Sequence, residues 1–128
     1  TLIFVRDTKN NQMAARFGFG RDSDAVLAKF RFSMAFTPDV FHLAMDKGAD
    51  IVIEDVTAQN IASKIPTWYR EAVTSQSFLL LPVMINGKAI ALFYADMEQA
   101  NAMQVSQRQL SLLRTLRNQA VLAIRQKM

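Results

Sequence analysis

Cysteine is absent from this 128-residue chain. Disulfides, thiolate nucleophiles, thiol-linked chromophores and cysteine zinc sites are therefore excluded within it. Histidine occurs once, at His42, and a catalytic triad built on it would need a nucleophile and an orienting acid that no local spacing supplies. No apolar run approaches the ~18 residues of a membrane span, and Thr1 to Arg6 lack the basic start and long apolar body of a signal peptide. Cytoplasmic residence with no membrane partner is the expectation. The chain starts with Thr1 rather than Met, as a domain cut from a longer protein would. Acidic residues stop at Glu98, while Arg108, Arg114, Arg117, Arg125 and Lys127 follow with no acid among them. The formal charge of +4 thus belongs to the last segment, not to the body of the chain. Those cations scatter around a helical wheel without interleaved aromatics, so nucleic-acid binding is not favoured.

What is present is apolar: hydrophobic residues make up 51% of the sequence, enough for one domain with a sizeable core. Ser77 to Asp96 organises it, two apolar runs around Asn86-Gly87. That dipeptide suits a two-residue type I′ turn, where both central residues take positive φ, and predicts a tight antiparallel hairpin. A regular ladder from that turn sets Ile85 opposite Lys88, Val83 opposite Ile90, Leu81 opposite Leu92 and Leu79 opposite Tyr94. Both faces are apolar, so the hairpin should be central and covered on each side.

Along the chain, Leu2 to Arg6 and Gln12 to Phe17 read as a strand pair around the polar turn 7–11. Phe17-Gly18-Phe19-Gly20 lacks the further residues of a phosphate loop and reads as a connection. Asp24 to Leu27 suggests a helical turn, and the alternation of Phe30, Phe32, Met34 and Phe36 a strand. Asp22, Ser23 and Asp24 read as a solvated loop, because no metal-loop spacing surrounds them. Thr37-Pro38-Asp39 opens a helix with Thr37 as the capping hydroxyl, and Gly48 closes it. Ile51 to Ile53 is a short strand. Thr57 begins a short helix up to Ile65, stopped by Pro66, and Thr67 starts another turn carrying Trp68 and Tyr69. Ser106 to Gln109 fits a capping box for one long helix over 106–128. Its apolar side joins Leu110, Leu113, Ala120, Val121, Ile124 and Met128, widened by Leu112, Leu116 and Ala123 to about 180°, more than the ~100° of an ordinary surface helix. Arg117 falls within or beside that stripe.

The strings Ile53-Glu54-Asp55-Val56, Ser77 to Tyr94 with Pro82 and Gly87, and Leu110-x-Leu112-Leu113 through Gln119 to Ile124 resemble a GAF domain, a ligand-sensing module of signalling proteins. The chain is also similar to GAF domains attached to HDOD modules in bacterial signalling proteins. It departs from the family at Ala91, where a glycine is usual, and in lacking an opening helix before its first strand. The resemblance implies an α/β (α+β) fold over residues 1–128. A mostly antiparallel central sheet would carry terminal helices on one face and short helices over a pocket on the other. The family's bilin-binding and thiol-dependent reductase roles do not fit a chain without cysteine, and its cyclic-nucleotide residue set is not found.

The expected function is that of a regulatory, non-enzymatic domain sensing an unidentified small molecule and signalling to a neighbouring domain of the same polypeptide through its terminal helices. No cofactor is assigned. Candidate ligand residues are Phe41, His42, Met45, Trp68, Tyr69, Leu81 and Tyr94: aromatic rings with polar handles suit recognition, although core packing accounts for the same residues. A haem role for His42 is conceivable, against the plainer reading of an ordinary helix histidine. The alternative function is a ligand-free scaffold forming a homodimer through the last helix, with Leu113, Leu116, Ala120 and Ile124 as candidate contacts. An enzyme of unrecognised kind is the third reading; Glu54 and Asp55, adjacent on a strand, face opposite ways and cannot act as a pair.

Overall fold

A computed structural model describes residues 2–18, 29–97, 99 and 107–126. Six strands form one antiparallel sheet: β1 (Leu2–Asp7), β2 (Gln12–Gly18), β3 (Arg31–Ser33), β4 (Ile51–Ile53), β5 (Ser77–Ile85) and β6 (Lys88–Met97). Their order across the sheet is β3-β2-β1-β6-β5-β4. Helices α1 (Val40–Lys47) and α2 (Thr67–Ala72), with a 3₁₀ turn at Ala62–Lys64, join the strands, and α3 (Gln107–Gln126) is the last element. This is the expected α+β arrangement, with the β5–β6 hairpin in the inner half of the sheet.

Asn86 (φ 52°) and Gly87 (φ 78°) both take positive φ, the geometry of the anticipated two-residue turn. The ladder beyond it departs from the expected register. Ile85 faces Lys88, but Val83 then faces Ala91, Leu81 faces Phe93 and Leu79 faces Ala95, with the register shifting between Val83 and Met84. Ile90 is the extra residue of a β-bulge, and one extra residue reverses every side chain after it. Tyr94 therefore shares a face with Phe78, Leu80 and Leu92, while Leu81 shares the opposite face with Leu79, Phe93 and Ala95. The inner face continues into β1 and β2 through Leu2, Phe4, Met13 and Ala15, all buried.

Other boundaries moved for local reasons. The strand expected through Phe36 stops at Ser33, whose hydroxyl accepts from the Ala35 amide 3.1 Å away; Phe36 is left exposed. Asp39, not Thr37, caps α1, accepting from the His42 amide, while Thr37 donates its hydroxyl to Asp39. A carboxylate suits the partially positive helix start better than a hydroxyl does. Gly48 ends α1 in the left-handed region (φ 62°) and lies so near Met84 that a Cβ would approach its Cγ to 3.3 Å. No helix starts at Thr57: Asp55 accepts from both its amide and its hydroxyl, closing an Asx turn that leads only to the 3₁₀ turn. Those two bonds, the side-chain one foremost, hold the Asp55 carboxyl below its usual range. The Phe19–Gly20 part of the glycine segment, the turn at Asp24 to Leu27, the cluster at Asp22 to Asp24 and the Ser106 cap lie outside the described residues.

Candidate ligand site

Alternation along β1, β5 and β6, the inward Phe32 of β3 with Phe30 just before it, and the apolar sides of α1 and α2 send eight aromatic rings to one place: Phe4, Phe30, Phe32, Phe41, Trp68, Tyr69, Phe78 and Tyr94. Ring centroids lie 4.7 Å apart for Tyr69 and Phe78, 4.8 Å for Phe41 and Trp68, and 5.1 Å for Phe30 and Tyr94. These tilted and edge-on contacts are the favourable aromatic geometries. Four of the candidate residues, Phe41, Trp68, Tyr69 and Tyr94, thus meet over the sheet, but they fill the space between sheet and helices with one another. Leu81 stands apart, fully buried on the far face.

A polar chain leaves this interior. The Tyr69 and Tyr94 hydroxyls are 2.8 Å apart, Tyr94 donates to the Asp96 carboxylate at 2.6 Å, and Ser75 donates to the same oxygen at 2.7 Å. Burial, then the neighbouring Tyr69 and the Asp96 charge, push the Tyr94 hydroxyl far above the ordinary tyrosine range, so it acts as a fixed donor rather than an acid. The chain reaches a recess of about 210 Å³ bordered by Val56, Arg70 and Ser75. Arg70 is already engaged there, donating to the carbonyls of Val56 and Ala62.

A second hollow, of about 220 Å³, lies where α1 meets the hairpin turn, lined by Arg6, Met34, Phe36, His42, Met45, Asp46 and Gly87 to Ala89. His42 and Met45 thus form its wall, apart from the aromatic four. The His42 ring is itself held by protein oxygens. Nε2 donates to the Ser33 carbonyl at 2.7 Å, and Nδ1 lies 2.8 Å from an Asp39 carboxylate oxygen. Nε2 ties α1 to the end of β3 and Nδ1 is engaged by the helix's own cap, so the ring offers the hollow its edge, not a ligating lone pair. Among the described residues no group of three or more acidic or histidine side chains could hold a metal ion.

The charged lining of this hollow escaped the sequence reading. Arg6 follows Leu2 and Phe4 in the inward row of β1, and a cation continuing an apolar alternation was the available signal. Its Nε is buried with no hydrogen-bond partner. Lys88 and Asp46 are exposed at the rim, and no ion pair joins any of the three among the described residues.

On the opposite side of the sheet α3 packs against β5. Leu113 joins Leu79, Leu81, Phe93 and Ala95 in a small cluster. Asp50, in the connection from α1 to β4, receives Arg117 at 2.5 Å and Arg114 at 3.0 Å, and Arg117 also donates to the Pro82 carbonyl. Arg117 sits in the apolar stripe because that stripe is where a side chain can reach Asp50. Of the candidate assembly residues, Leu113 and Ala120 are half-buried on the docked side, whereas Leu116 is 60% exposed beside Leu112 at 59%. The Ile124 side chain lies outside the described residues. No described helix is long and apolar enough to cross a membrane.

No protein-family model matches the sequence, and no curated protein does. Solved structures match by shape. The GAF domain of an Acinetobacter phosphoenolpyruvate-protein phosphotransferase aligns over 94% of this chain and 67% of its own, with a TM-score of 0.66 and 19% identity. Residues 122 to 287 of a methyl-accepting chemotaxis protein align over 98% and 76%, with a TM-score of 0.69 and 19% identity. Free methionine-R-sulfoxide reductase from Neisseria meningitidis, in complex with its substrate, aligns over 98% and 68% at 0.62 and 19%. The fold therefore serves signalling proteins and an enzyme alike, and does not by itself separate these uses. The six-stranded sheet in this order, helices α1 and α2 on one face and α3 on the other, is the fold of GAF domains.

Proposed function

We propose that this chain is a regulatory sensory domain, not an enzyme, in which occupancy of the hollow beside α1 is transmitted to α3 and from there to a neighbouring domain. One observation carries the reading: the α1–β4 connection runs from the hollow to the helix on the far face. Met45 and Asp46 line the hollow, Gly48 turns the chain against Met84, and Asp50 holds Arg114 and Arg117. A shift of α1 moves the anchor of α3 within a few residues. A ligand acts through this link only if it binds the two positions of α3 with different affinity.

The test is native mass spectrometry of the gently purified domain, paired with hydrogen–deuterium exchange over residues 107–126. A reproducible extra mass whose release changes exchange in α3 supports sensing. Extra mass with α3 unchanged refutes transmission.

The ligand-free scaffold is a second reading, supported by the exposed apolar residues Leu112, Leu116 and Leu122 on α3. A bare dimer in the same spectrum, dissociated by Leu116→Glu, favours it.

A further inference from the structure

We infer that the hollow beside α1 is a binding site for a small organic carboxylate with a short apolar tail, gripped at its charged end by Arg6 and Lys88; this rests on the sensory reading and names its ligand class. Arg6 is the centre of the argument. A buried guanidinium N–H with no acceptor is unfavourable, and here Nε is in that state with no carboxylate paired to the group among the described residues. Turning the guanidinium toward a carboxylate in the hollow gives Nε its acceptor, and the planar fork takes both carboxylate oxygens at once. Lys88, at the start of β6 and lining the same space, supplies a second positive charge.

The rest of the lining sets the remainder of the ligand. Met34 and Met45 form a thioether wall, and Phe36, an aromatic ring left 59% exposed, stands at its lip. Thioethers adapt to irregular hydrocarbon, and an exposed phenyl ring gains by covering it. The hollow of about 220 Å³ corresponds to roughly seven waters at ~30 Å³ each, below the ~300–1,000 Å³ of sites for drug-sized ligands. Asp46 at the rim works against a doubly charged phosphate and leaves room for a ligand that also carries an ammonium group.

The experiment is calorimetric titration of the domain at neutral pH with four probes: 4-methylpentanoate, L-leucine, 3-methylbutylamine and inorganic phosphate. The expected result is binding of 4-methylpentanoate, weakened at least about tenfold in Arg6→Gln, the scale of a lost charge-assisted bidentate contact. Lys88→Gln, a change at an exposed residue that leaves the fold intact, should weaken it by a smaller factor; its readout stands even if Arg6→Gln is poorly folded. L-Leucine binding as well as the plain acid supports the site, with Asp46 meeting the ammonium. Three outcomes overturn it. One is no heat from either acid at about 10 mM, where millimolar affinity would be visible. The others are phosphate or the amine binding better than the acids, and acid binding unchanged in both variants. Exchange over residues 107–126 separates this inference from the sensory reading. Carboxylate binding that depends on Arg6 but leaves α3 unaltered upholds the site and refutes transmission. A co-purified ligand that alters α3 yet binds independently of Arg6 upholds sensing and refutes this site.

Discussion

The two faces of the sheet are held by different physics. Under α1 and α2, eight aromatic rings and the aliphatic side chains around them form one continuous interior. Under α3 there is a small cluster of Leu79, Leu81, Phe93, Ala95 and Leu113, completed by the ion pairs of Asp50 with Arg114 and Arg117. Apolar burial carries no charge for salt to screen, whereas charge pairs near the surface weaken as salt rises. From this difference the inner face is expected to behave as the rigid body of the domain, with α3 opening at lower free energy than the β5–β6 hairpin.

The largest expected effects test that division directly. Phe41→Ala removes a fully buried ring at the centre of the inner cluster and should cost about 3–5 kcal/mol, read as a lowered urea midpoint for the whole domain. Asp50→Ala should cost less, about 1–2 kcal/mol, between an exposed pair and a buried one left with an uncompensated charge. Its signature is local: faster amide exchange over residues 107–126 while β5 and β6 keep their protection. Global loss of protection in Asp50→Ala would show that α3 is integral to the folding unit and break the comparison.

The faces were not equally legible in the sequence. Asn86-Gly87 announced the hairpin, and helix, strand and turn signals placed most elements, because those are local preferences. The register failed at Ile90, since a bulge leaves no mark in a run where both faces are apolar. That single residue put Leu81 among the ligand candidates and hid the separation of Tyr94 from the α3 face. Grouping Phe41, Trp68, Tyr69 and Tyr94 was within reach of pattern. That they pack on one another, leaving the open space beside His42 and Met45, depends on three-dimensional filling. Asp50 meeting Arg117 links residues far apart in the chain and had only one trace, a cation within an apolar stripe.

Smaller effects sharpen the contrast through pH. Tyr94→Phe breaks the hydroxyl chain from Tyr69 to Asp96 and should cost about 1–3 kcal/mol near neutral pH. The wild-type hydroxyl keeps its proton in the folded state well above the ordinary tyrosine range. The stability this contributes is therefore complete below the unfolded tyrosine value of ~10 and declines as pH rises past it, because only the unfolded state then readily loses the proton. Melting temperatures at pH 8 and above pH 10 should fall further apart for wild type than for Tyr94→Phe. Equal differences would remove Tyr94 as the source.

The smallest effect on stability is expected on the exposed side of α3, where Leu112 and Leu116 are largely in solvent. Exposed positions usually tolerate change within about 0.5 kcal/mol, so Leu116→Glu should leave the melting temperature of a monomeric domain almost unmoved. If α3 instead meets a second copy there, the same carboxylate would be forced into an apolar interface. Sedimentation would then report a shift toward monomer, with a melting temperature that depends on protein concentration in wild type but not in the variant. A stable monomer in both leaves the apolar stripe of α3 available for the neighbouring domain to which the sensory reading assigns it. Loss of stability without any change in mass would mean that Leu116 supports the docking of α3, and the division between its docked and open sides would have to be redrawn.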